Sequence, residues 1–376
     1  MDILKDFEKK ENDKSLYLKE KPSTESPVDE ETIHVSSSKL TEIDAKTIGK
    51  SIAIEMKNQG YHPVILFGST SSGKSTLLNS LFTYLKMNSS GKSIGFSLSE
   101  PLIPTNTIYG KTLYDEAKAF FNRGTQDFID GHGAPVTLKK NPFFIPVKVN
   151  PIDADEIKFA FLESNGEWYQ PLKINDEYTI DLYPELKEEI NAIIQYFEGG
   201  ISFIYLAPYT KSNTDSKKQN EIKNANLALV GVMDAYQRLR KIHREDDKHI
   251  FLLTKWDEKD VTLEKLSFVT DADRQQVINI LYKQGFAAFN TLEIPEYSKA
   301  ILQYCAAIMS GRDVLPSEKY LPILNKYRKT LWNWLYGNAT EFNSDIGRRL
   351  ELVSTPPPPK KSFFTLLTEK VSKWFG

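Results

Sequence analysis

Val64-Ile65-Leu66-Phe67-Gly68-Ser69-Thr70-Ser71-Ser72-Gly73-Lys74-Ser75-Thr76-Leu77-Leu78 decides how this chain is read. The apolar run Val64–Phe67 has the character of a buried strand. The next eight residues match Gly, four residues, Gly, Lys, Ser/Thr, the pattern of a phosphate-binding P-loop. A chance match in a chain of this length is expected about one time in a hundred. Gly68 and Gly73 let the backbone wrap so that its N–H groups, with Ser69, Ser71 and Ser72 between them, face phosphate oxygens. The helix that opens at Ser75 and Thr76 adds the positive end of its dipole. Lys74 reaches the β- and γ-phosphates as a point charge, and the Ser75 hydroxyl is a Mg²⁺ ligand.

Outward from this loop, short apolar runs alternate with helical stretches. His62–Phe67, Phe143–Val149, Ile157–Leu162, Ile201–Leu206, His249–Leu253 and Ile301–Cys305 read as strands. Ser75–Met87, Lys218–Arg244, Leu263–Gln284 and Lys319–Tyr336 read as helices, and Leu40 to Asn58 has rough helical spacing that ends at Gln59-Gly60. The alternation predicts an α/β domain with a mainly parallel sheet flanked by helices. Leu85 to Pro135 is longer than a connection between neighbouring elements. Its segment Leu113–Ile129 looks helical, so an inserted helical segment is expected there.

Ile250-Phe251-Leu252-Leu253-Thr254-Lys255-Trp256-Asp257 is an apolar strand running into Thr-Lys-x-Asp. The Asp257 carboxylate can accept from guanine N1–H and from its exocyclic amine, whereas adenine would leave it unpaired. The Lys255 stem can lie along a base, and Thr254 can tie this loop to the P-loop. The segment Tyr304-Cys305-Ala306-Ala307 is the candidate loop supporting the base, with Cys305 read as a buried core thiol.

Between these motifs lie the candidate switch residues. Thr137, just before the strand Phe143–Val149, is a candidate Mg²⁺ ligand and γ-phosphate sensor, with Thr105 and Thr107 as competitors. Glu163-Ser164-Asn165-Gly166 follows the strand Ile157–Leu162. Glu163 can reach the Mg²⁺ shell through water, and the Gly166 N–H can contact a γ-phosphate. Glu167 can orient water or act as a base; it can equally be a surface carboxylate.

In this order, Gly68–Ser75, Thr137, Glu163–Gly166 and Thr254–Asp257 resemble the TRAFAC class of P-loop GTPases. Gly133-x-x-x-Thr137, Gly166-Glu167-Trp168, Thr254-Lys255-Trp256-Asp257 and Trp332-Asn333-Trp334 are similar to the bacterial double-GTPase type of conflict and signalling systems. The resemblance covers about residues 60–340. It implies GTP/GDP and Mg²⁺ as cofactors, a nucleotide-controlled switch with slow hydrolysis, and a protein partner. Two departures stand out: Glu163 where the class has Asp, and the long insertion. No arginine finger is assignable in cis beyond Arg123 as a candidate, and a nucleotide-binding scaffold with little turnover is the alternative.

The remainder of the chain sets bounds. With 376 residues, 40% hydrophobic and 26% charged, it can bury a large core. A net charge of −2 gives no global pull toward nucleic acid, and none is expected as a partner. One cysteine leaves no disulfide framework. The charged start Met1-Asp2-Ile3-Leu4-Lys5-Asp6 argues against a secretory signal and for a cytoplasmic protein. The expected organisation is a disordered tail over 1–38, a GTPase domain over 39–345 with an insertion at about 88–135, a proline-rich linker over 346–361 and an amphipathic helix over 362–376. That last helix is too short to be stable alone in water. A membrane interface, a partner groove and its own domain are the surfaces open to it.

Overall fold

The computed structural model describes residues 45–89, 94–105, 108–132, 143–151, 155–164, 173–174, 177–178, 188–209, 216–240, 245–258, 283–295, 298–310, 313–314 and 320–340. The tail over 1–38, the linker, the C-terminal segment and the helix expected over Leu263–Gln284 (but for its last two residues) lie outside them. So do the residues 133–142 around Thr137, and Gly166, Glu167 and Trp168.

The strands are β1 (Tyr61–Phe67), β2 (Ile94–Leu98), β3 (Phe143–Pro151), β4 (Ile157–Glu163), β5 (Lys173–Ile174), β6 (Glu177–Tyr178), β7 (Ser202–Pro208), β8 (Lys248–Thr254), β9 (Lys299–Gln303), β10 (Met309–Ser310) and β11 (Asp313–Val314). Seven of them form one sheet in the order β2-β3-β4-β1-β7-β8-β9. The five from β4 to β9 are parallel, and β3 runs antiparallel to both β2 and β4. Strands buried on both faces must be apolar nearly throughout, and β1, β7 and β8 are. Helices Lys74–Ser89, Glu188–Tyr196, Ser216–Leu239, Lys283–Asn290 and Leu321–Thr340, with the helical residues 45–58, accompany the sheet.

Several elements differ from the sequence reading, the short strand pairs β5–β6 and β10–β11 among them. The insertion is not helical alone: Ile94–Leu98 adds an edge strand to the main sheet before the helix Ile108–Ala119. That helix runs through a π-helical turn, Phe120–Gly124, into Thr125–Ile129. The insertion shares the main core, since the Phe121 ring packs at a tilt against Phe82 and Phe96, with centroid distances of 5.8 Å and 5.4 Å. Lys86 fastens it further, donating to the Phe121 carbonyl at 2.8 Å with its ammonium 4.1 Å from that ring. The last strand of the main sheet is Lys299–Gln303, so Cys305 lies past it, where the Tyr304 amide meets the end of β8. Helix Glu188–Tyr196 is an element additional to those read from the sequence.

At the amino ends of β7 and β8 the fold is held by one buried cation. Arg240 and Asp247 are both fully buried and paired through Nη2–Oδ1 at 2.7 Å and Nε–Oδ2 at 2.9 Å. The other guanidinium hydrogens go to the carbonyls of Ile194 (3.1 Å), Phe197 (2.7 Å) and Gly199 (2.7 Å). Asp247 also accepts from the Ile201 amide at 2.9 Å and the Tyr236 hydroxyl at 3.0 Å. All five guanidinium donors are used, the condition under which a buried charge is tolerated. Arg240→Ala leaves Asp247 buried without its partner, so denaturant unfolding should show a loss of about 3–5 kcal/mol. A loss below about 1 kcal/mol would mean the network is dispensable.

Candidate functional site

The chain order puts β1 between β4 on one side and β7 on the other. In open parallel sheets ligands bind at the carboxyl ends of strands where the connections change direction, and β1 is such a strand. The loop that leaves it is residues 68–73.

Its backbone needs its glycines. A Cβ on Gly68 would stand 2.4 Å from Ser72 Oγ and 3.1 Å from Leu206 Cβ. Gly73 has φ +92°, in the region that favours glycine, and Ser71 has φ +64°. Left-handed residues alternating with right-handed ones turn successive amides inward, which forms an anion-binding concavity. Lys74 opens the helix, is buried, and donates through Nζ to the carbonyls of Gly68 at 2.7 Å and Ser69 at 3.3 Å. Next to it, Ser75 Oγ donates to Glu163 Oε1 at 2.5 Å, and Glu163 is buried at the end of β4.

The second loop leaves β8. Thr254 Oγ1 donates to the Ser72 carbonyl at 2.7 Å, so the two loops are joined directly. Lys255 has φ +54°, which swings the chain into the short 3₁₀ turn Trp256–Glu258. Trp256 is buried against Tyr209, and Asp257 is 8% exposed.

The third loop leaves β9. The Tyr304 amide donates to the Leu253 carbonyl at 2.8 Å, and its hydroxyl lies 3.1 Å from Ser80 Oγ on the P-loop helix. Cys305 Sγ is 3.8 Å from Asp257 Oδ1 and 3.4 Å from the Ala307 carbonyl. Burial, then the charge of Asp257, pushes this thiol well above its ordinary value, so it is no nucleophile.

The three loops enclose a cavity of about 350 Å³. Ser71, Gly73, Thr76 and Leu77 line one side, and Thr254, Lys255 and Asp257 line another. Tyr304, Ala306 and Ala307 close it. Two motifs far apart in sequence thus face one space, with residues of the glycine-rich turn on one side and the Lys255 and Asp257 side of the second loop on another. Arg123 is exposed on its π-helical turn and Thr105 is exposed after β2; neither lines this cavity. The sequence reading missed the Ser80 hydroxyl, whose contact with Tyr304 no local pattern announces.

Ser75 and Glu163 fit a hard divalent cation by donor chemistry, both offering oxygen at the phosphate end. Among the described residues no group of three or more His, Cys, Asp or Glu could hold a metal. A cation here would draw its remaining ligands from phosphate and water.

No family model and no curated protein sequence matches this chain. Solved structures overlap with it loosely. The Ski7 GTPase-like domain of S. cerevisiae bound to GDP and inorganic phosphate shares 12% identity at a TM-score of 0.37, covering 78% of this chain and 53% of that one. The signal recognition particle receptor SRb-GTP/SRX complex of Chaetomium thermophilum shares 12% at 0.35, covering 67% and 93%. The GTP-bound Ski7 domain shares 11% at 0.30, covering 65% and 43%. This chain thus spans about half the length of the first of them. Sheet order, strand polarity and the glycine-rich loop after β1 make the fold a mostly parallel α/β sheet flanked by helices, with a P-loop at the carboxyl end of a central strand.

Burial holds Lys74 down at about 8, with the Glu163 charge pulling the other way. A triphosphate beside the ammonium favours its charged form and raises that value. Below about pH 8 the lysine already carries its proton; above it, triphosphate binding must take one up, and affinity falls as pH rises. Calorimetry in two buffers of different ionisation heat should detect proton uptake near pH 9 and little near pH 7. Equal proton exchange at both would remove Lys74 from the phosphate end.

Proposed function

We propose that the chain binds GTP and GDP with Mg²⁺ and acts as a nucleotide-controlled switch that hydrolyses GTP slowly. The single observation that carries this is the cavity shared by the P-loop and the Thr254–Asp257 loop, tied together by Thr254 and Ser72. In this reading Ser69, Ser71, Ser72, Gly73 and Thr76 cradle the phosphates and Lys74 neutralises the developing charge between them. Asp257 selects guanine and Lys255 covers the base. Ser75, Thr137 and Glu163 hold Mg²⁺, which supplies electrostatic stabilisation of the phosphoryl oxygens. Gly166 and Thr137 sense the γ-phosphate, and Glu167 orients the attacking water.

The finer reading is a member of the double-GTPase type in a bacterial conflict or signalling system, cytoplasmic, with a protein partner. The segment 362–376, amphipathic if helical, is the part that would meet the partner or a membrane surface. Among the described residues no helix is long and apolar enough to cross a membrane.

One observation favours the alternative, a nucleotide-binding scaffold with little turnover. Glu163 stands where the class has Asp, and its carboxylate is in direct contact with the Ser75 hydroxyl. Phosphate release by purified protein with GTP and with ATP separates the readings. Multiple turnovers with GTP alone support the switch, GTP binding without turnover supports the scaffold, and a preference for ATP removes both.

Asp257→Asn should weaken GTP binding about 10- to 150-fold and shift preference toward xanthosine triphosphate, because an amide donates where the carboxylate only accepts. Unchanged GTP affinity would show that Asp257 does not read the base. Glu163→Gln should weaken Mn²⁺ binding to the GDP complex, read by electron paramagnetic resonance, while leaving metal-free GDP binding within about three-fold. Equal Mn²⁺ affinity in both proteins would remove Glu163 from the metal site.

A further inference from the structure

Arg328 is 3% exposed in the helix Leu321–Thr340, within the stripe of Leu324, Tyr327, Leu331 and Leu335 that faces the core. A guanidinium in such a stripe is costly to bury unless its donors are placed. Nη2 donates to the Ala306 carbonyl at 3.0 Å, and Nη1 donates to Asn325 Oδ1 at 3.0 Å one turn back on the same helix. The guanidinium also lies 5.7 Å from the centre of the Phe128 ring, which belongs to the insertion. One buried cation therefore spans three elements distant in sequence, and the backbone atom it grips belongs to a loop that lines the cavity together with Asp257.

That loop has little else to fix it. Ala306 and Ala307 carry no polar side chain. The loop is anchored before them by the Tyr304 amide on Leu253 and by the Cys305 thiol near Asp257. Past Cys305, its thiol meets the Ala307 carbonyl at 3.4 Å, and the Arg328 bond holds the Ala306 carbonyl. A cation–carbonyl hydrogen bond is directional, and removing the donor leaves this half-buried carbonyl without it.

We propose that Arg328 is a positioning residue for the base-binding half of the cavity: through Ala306 it sets the Ala306–Ala307 wall beside Asp257 and so governs how tightly a guanine base is held. This rests on the GTP-binding reading and deepens it. The hydrogen bonds of Arg328 go to Ala306 and Asn325 and, among the described residues, none goes to residues 68–75, so its influence is expected on the base rather than on the phosphates. It also links the base wall to the insertion through Phe128.

The test compares GTP with inorganic tripolyphosphate, which engages only the phosphate half. Arg328→Met keeps the length and the apolar packing on Phe128 but removes both donors. It should weaken GTP binding about ten-fold or more and leave tripolyphosphate binding within about two-fold. Arg328→Lys, which keeps one donor, should recover part of the loss. Asn325→Ala, which removes only the brace on Nη1, should show the same selective effect at smaller size and serves if Arg328→Met fails to fold. Equal weakening of both ligands would make Arg328 a general stability residue and overturn the proposal. An unchanged GTP affinity would overturn it too. A parent protein that binds tripolyphosphate but no GTP would sink the guanine reading itself, a result separable from either.

Discussion

The hydrogen bond from Thr254 to the Ser72 carbonyl makes one site out of two loops. Without it the P-loop and the Thr-Lys-x-Asp turn would be separate strand ends that happen to emerge on one edge of the sheet. With it, the spacing between an anion cradle and a carboxylate is fixed to within the play of one short bond. Its position follows from the sheet. β7 lies between β1 and β8, so the two loops stand two strands apart, roughly ten ångströms. A threonine side chain reaching from one to the loop of the other spans what remains.

The two ends of the sheet are built on different principles. At the amino ends of β7 and β8, Arg240 and Asp247 use every donor and four acceptor positions, and nothing there is left for a ligand. At the carboxyl ends, Gly73 and Ser71 adopt left-handed backbone and Lys74 is buried enough to lose much of its basicity. Strained backbone and a perturbed lysine persist only where the surroundings over-determine them. The parallel sheet supplies that rigidity, and the insertion, packed edge-on and tilted against Phe82 of the P-loop helix, adds to it.

The strands nearest the site were the most legible part of the sequence. β1, β4, β7 and β8 are buried on both faces, so their apolar runs stand out against any turn signal. β2 did not, because Ile94-Gly95-Phe96-Ser97-Leu98 is a short edge strand whose pairing with β3 depends on a partner about fifty residues on. Helix Glu188–Tyr196 offers Ile190, Ile193 and Ile194 at helical spacing, but nine residues after a Glu-rich stretch make a weak signal. The phosphate and base motifs were legible as chemistry because each needs particular side chains at fixed spacing. Arg240 and Arg328 were not: on a wheel a buried arginine looks like a solvated one, and only the carbonyls around it tell them apart.

The order of strands also bears on how the protein is made. β1 is paired with β4 and β7, both far along the chain, whereas β3 and β4 form an antiparallel pair over neighbouring residues. Contacts between near residues close fast and those between distant ones slowly. A ribosome delivering this chain would release the glycine-rich turn early, yet Thr254, which secures it, lies 182 residues beyond Ser72. The nascent chain therefore carries the glycine-rich turn unsecured until Thr254 emerges, and on the GTP-binding proposal capture of a nucleotide becomes an event coupled to completion of the sheet.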